Sequence, residues 1–68
     1  MFHFNSETGN YESESLIIDG AAFAEARADY RRELERRGET YETAWDKAEA
    51  YLCQEYSWTE DMEGVSLK

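Results

Sequence analysis

Four carboxylates, Glu39, Glu42, Asp46 and Glu49, follow one another at intervals of three, four and three residues in the second half of this 68-residue chain. On a helix that spacing puts them along one side, and the rise of 1.5 Å per residue steps them by about 4.5 to 6 Å along the axis. Such a row can accept charge and hydrogen bonds from Arg and Lys, as the phosphates of a nucleic-acid strand do. Duplex DNA is denser, with one charge per roughly 1.7 Å of axis over both strands, so one helix imitates one strand at most. Glu12, Glu14, Glu55, Glu60, Asp61 and Glu63 are available for a second row. An acidic face also serves solubility, but a face chosen for that alone would intersperse signs. Like charges four apart, as in Glu42 and Asp46, work against the helix, so a small chain that keeps them is expected to use them on a partner.

The other chemistry-bearing residues point away from catalysis. His3 is a lone imidazole and Cys53 a lone thiol, so no His/Cys set stands at zinc spacing. No Asp-rich calcium loop and no glycine-rich phosphate loop is present. Cys53 falls beside the acidic row on a helical wheel, where negative charge should raise its thiol pKa and weaken it as a nucleophile. A chain of this length has little room for a closed pocket. The expectation is a protein that is not an enzyme and has no metal site and no cofactor.

Charge is unevenly distributed. The formal net charge is −9. Residues 19–38 balance five acids against five arginines, whereas residues 39–67 carry eight acids and only Lys47. One half is neutral and the other strongly anionic, a pattern that favours cationic partners and disfavours phosphates. Arg31, Arg32, Arg36 and Arg37 are interleaved with Asp29, Glu33 and Glu35, so they make no nucleic-acid patch. The longest apolar runs, Leu16–Ile18 and Ala21–Ala24, are too short for a membrane span, and the single cysteine fits a reducing compartment; a cytoplasmic location is expected.

These residues need elements to position them. Phe2, His3 and Phe4 alternate as a short strand with both phenylalanines on one face, Ser6–Asn10 reads as a turn, and Tyr11–Ile18 supplies the second arm of a hairpin. Asp19 is a helix cap. Phe23, Ala26, Tyr30 and Leu34 form an apolar stripe running to about Arg37, and Gly38 is the stop. Thr40 caps a second helix whose face comprises Tyr41, Ala44, Trp45, Ala48, Tyr51, Leu52 and Tyr56. The expected fold is α+β, a short N-terminal β-hairpin packed on a two-helix antiparallel hairpin, in one domain over residues 1–68 with 59–68 as a frayed tail. Three Phe, five Tyr and two Trp supply the bulk that so short a chain needs for its core.

Together these features lead to an expected small acidic inhibitor that occupies the basic site of a nucleic-acid-handling protein by charge mimicry, without touching nucleic acid or membrane itself. Small phage-encoded inhibitors of anti-restriction and anti-CRISPR type look like this in size and charge; the likeness is one of composition and carries no residue across. Glu39, Glu42, Asp46 and Glu49 would bind the partner, with Trp58 as an exposed aromatic anchor. The alternative is an adaptor or regulator that binds through its aromatic face, to another protein or to a second copy of itself as a homodimer.

Overall fold

The computed structural model describes residues 1–68. Three short strands, β1 (His3–Asn5), β2 (Asn10–Glu12) and β3 (Leu16–Ile18), lead into two helices, α1 (Gly20–Arg36) and α2 (Tyr41–Leu52), and the chain ends on β4 (Val65–Leu67). The sheet is antiparallel throughout, in the order β1-β2-β3-β4. Both helices are therefore inserted between two neighbouring strands. Phe4, Tyr11, Ile18 and Val65 stand opposite one another across the four strands and face the helices, with Ile18 fully buried and Phe4 on the rim. His3, Glu12, Ile17 and Ser66 form the adjacent row, which the pleat turns to the other face.

The α+β reading holds, and the helix ends follow local chemistry. The Asp19 side chain accepts a hydrogen bond from the Ala21 N–H at 2.8 Å. At the far end of α1, Gly38 takes a φ of 104°, its N–H reaches the Glu35 carbonyl, and the Glu39 N–H reaches that of Leu34, which together make a Schellman stop. Thr40 then caps α2 through the Thr43 N–H.

Three features depart from the sequence expectations. The second hairpin arm is broken in two because Ser13, buried among the strands, accepts from the Ser15 and Leu16 N–H groups and turns the chain. The second helix stops at Leu52 rather than continuing through Tyr56. Its last carbonyls are capped from outside: the Trp58 indole Nε1 donates to the Leu52 carbonyl at 2.6 Å, Ser57 Oγ to that of Tyr51, and the Phe2 N–H to that of Cys53. The tail over 59–68 is not frayed. Val65–Leu67 pairs with β3, the Asp19 N–H donates to the Gly64 carbonyl at 2.7 Å, and the Lys68 N–H to that of Ser15.

Two cores result. Phe2, Ile18, Phe23, Leu52, Trp58 and Val65 fill the junction of sheet and helices, while Leu34, Ala44 and Ala48, with Tyr30 against them, hold the outer part of the helical hairpin. Phe23 lies between Tyr11 and Trp58, with ring centroids at 3.7 and 5.9 Å and nearly parallel planes. The molecule is elongated, 36 × 24 × 18 Å. No helix is long and apolar enough to cross a membrane.

Candidate functional site

The four acids of the expected row meet different fates. Glu42 and Asp46 project from α2 into solvent and have no cationic partner. Glu39 precedes the helix rather than lying on it, and its carboxylate accepts from Lys47 Nζ at 2.5 Å and Thr43 Oγ1 at 3.0 Å. Those two donors hold its carboxyl below the usual carboxylate range. Glu49 stands 3.7 Å from Arg27 Nη1. The free part of the row is thus its middle.

Trp58 is the clear correction. It is 5 % exposed and packed against Phe23, so it is a core residue and not a surface anchor. The exposed aromatic role falls to tyrosines instead. Tyr30 stacks on Tyr51 at 4.8 Å, and Tyr51 meets Tyr56 edge to face at 6.2 Å, with Tyr56 74 % exposed. This ladder joins three elements, because Tyr56 sits on the short 3₁₀ turn Glu55–Ser57 after α2. Tyr51 and Tyr56 share the apolar face by helical periodicity, but that period carries no sign of the helix end at Leu52 that falls between them.

The basic side chains are all engaged within the molecule. Arg32 pairs with Asp29, Arg31 with Glu35, Arg36 and Arg37 with Glu33, Lys47 with Glu39, Arg27 with Glu49 and Lys68 with Glu12. Arg27 and Arg31 are also turned onto α2, their guanidinium carbons 4.8 and 5.0 Å from the centre of the Trp45 ring, and Arg31 lies over Tyr41 as well. The Nε of each is buried without a hydrogen-bond partner; attraction to the ring faces offsets part of that loss. Glu7, Glu14, Asp19, Glu25, Glu42, Asp46, Glu55, Glu60, Asp61 and Glu63 have no cation of their own.

These acids do not form one second row. Glu12, Glu14 and Glu55 line an open depression with Glu7, His3 and Lys68, while Glu63 faces a separate groove against α1. Within the first, Glu12 is already tied to Asn5 and Lys68. In the turn after Trp58, Asp61 accepts from Thr59, which holds its carboxyl below the usual range. Cys53 is half-buried, and burial first and the nearby Glu49 second push its thiol pKa up, the direction read from the sequence. Tyr11 is raised for the same two reasons. No protein-family model matches the chain, and comparison with curated proteins and with solved structures finds no match.

Proposed function

We propose that this chain is a protein-binding inhibitor that presents carboxylates to the Arg and Lys of a nucleic-acid-handling protein and so blocks its phosphate-contacting site. One observation carries the reading: every basic side chain is consumed by an internal ion pair, so the surplus of acids is free to meet cations from outside. Glu42 and Asp46, exposed and unpaired on the rigid α2, are the first contacts. Charge of this kind speeds encounter and selects against nucleic acid itself, and its effect is screened by salt. A lone thiol with a raised pKa is compatible with work in a reducing cytoplasm.

The test is capture from a nuclease-treated lysate on the immobilised chain, with elution in stepped salt and, after the nuclease is washed away, with duplex DNA. A bound protein that leaves in both eluates and loses its own DNA or RNA binding when the chain is added supports the proposal. Retention at about 1 M salt, where the Debye length falls to about 3 Å, by a protein without a nucleic-acid site overturns it. The Glu42→Lys/Asp46→Lys variant should release the partner, since two attractive contacts become repulsive.

The tyrosine ladder favours a second reading, an adaptor that binds through Tyr51 and Tyr56, because exposed tyrosines are common binding anchors. Tyr56→Ala separates the two: with Tyr56 so exposed, the fold should persist, and loss of binding in that variant alone would select the adaptor.

A further inference from the structure

A groove of about 450 Å³ runs between α1 and the turn that returns the chain from Trp58 to β4. Its α1 wall is set by spacing: Ala22, Glu25, Ala26 and Asp29 fall at intervals of three, one and three residues, so they share one side of the helix. Its opposite wall carries Met62, Glu63 and Gly64. Gly64 fixes how closely the walls meet below the groove, since a Cβ at this position would lie 2.5 Å from the Ala22 Cβ. The floor is small and apolar, and Met62, 43 % exposed with its sulfur accepting from the Thr59 N–H, adds an unbranched apolar side chain to the wall. Charge stands on both sides. Asp29 is satisfied by Arg32, but Glu25 on one wall and Glu63 on the other have neither a cation nor a hydrogen-bond donor from the protein, and both are exposed.

We propose that this groove receives an arginine side chain of a protein partner, its methylene stem against Ala22, Ala26 and Met62 and its guanidinium between the carboxylates of Glu25 and Glu63. An arginine is chosen over other occupants because it joins an apolar stem to a planar, weakly hydrated cation that donates to two carboxylates at once. An aliphatic side chain would leave both acids unanswered, and an anion would be repelled. The proposal rests on the reading of the chain as a binder of basic sites, and adds to it a single specific pocket where the exposed acids of α2 supply only general attraction.

The experiment is a titration of the ¹⁵N-labelled chain, followed by NMR, with three end-blocked peptides in which arginine, lysine or norleucine is flanked by glycines. The arginine peptide should give saturable shifts at the Ala22, Ala26 and Gly64 amides. The Glu25→Gln/Glu63→Gln double variant, whose changes lie on the surface, should weaken them at least about tenfold, the effect of losing one charge-assisted hydrogen bond. An equal response to norleucine or to lysine, or an unchanged affinity in the double variant, overturns the proposal. Shifts confined to residues around Glu42 and Asp46 overturn the groove while leaving the charge-mimicry reading intact. Failure of that reading has its own signature, a captured partner with no nucleic-acid site.

Discussion

Trp58 closes two problems with one side chain. Its indole covers Phe23, and its Nε1 caps the C-terminal end of α2 through the Leu52 carbonyl. Truncating a buried tryptophan costs about 3–5 kcal/mol, and a chain of this length has about 3–10 kcal/mol in all at the ordinary 0.05–0.15 kcal/mol per residue. Trp58→Ala should therefore lose between about a third and all of that stability, seen by circular dichroism as a lowered urea midpoint or a vanished cooperative transition; a full transition with a midpoint near that of the parent would show that the residue is not central to the core. Gly64 should be nearly as intolerant, since its φ of 83° and its approach to Ala22 both exclude a side chain. At Cys53 the consequence is chemical. With burial and Glu49 both favouring the neutral thiol, its alkylation by iodoacetamide should rise only above the usual thiol pKa of about 8.5. Glu49→Gln should shift that profile to lower pH without restoring an ordinary value, because the larger cause, burial, remains.

At the scale of elements, what was legible in the sequence was what short-range chemistry decides. Asp19, Gly38 and Thr40 mark helix ends through contacts within a few residues, and each stands where it was expected. The stop at Leu52 and the pairing of Val65–Leu67 depend on partners brought from elsewhere in the chain; the break at Ser13 is local, made by its bonds to the Ser15 and Leu16 N–H groups, but a three-residue strand holds too little alternation to announce itself. The candidate site divides the same way. Glu42 and Asp46 were legible as exposed acids, whereas Glu39 with Lys47 eight residues on and Glu49 with Arg27 on the other helix were not. The Glu39 pair has a testable sign. Its folded carboxyl is depressed by Lys47 and Thr43, so the stabilisation is present above the unfolded value of about 4.3 and is lost as pH falls through the lower folded value. Glu39→Gln should flatten the acid limb of a stability profile in that window; an unchanged acid limb would mean that the contact leaves no imprint on folding.

Over the whole molecule the charge of −9 sets folding against binding. The internal ion pairs are mostly exposed, and pairs of that kind are worth about 0–1 kcal/mol each. The unpaired acids repel one another from turns and both helices, over distances that a Debye length of about 30 Å at 0.01 M leaves unscreened and one of about 8 Å at 0.15 M largely removes. Screening should therefore relieve more repulsion than it removes attraction. The melting temperature of the free chain is expected to rise between those two salt concentrations, by about 4–8 °C for each kcal/mol of repulsion relieved. A falling melting temperature would mean that the ion pairs outweigh the surplus acids, and would remove the ground for treating those acids as uncompensated. Capture of a basic partner should move in the opposite direction and weaken over the same range. Affinity lost while the chain itself grows more stable cannot come from unfolding, so the two curves measured together assign the salt effect to the interface.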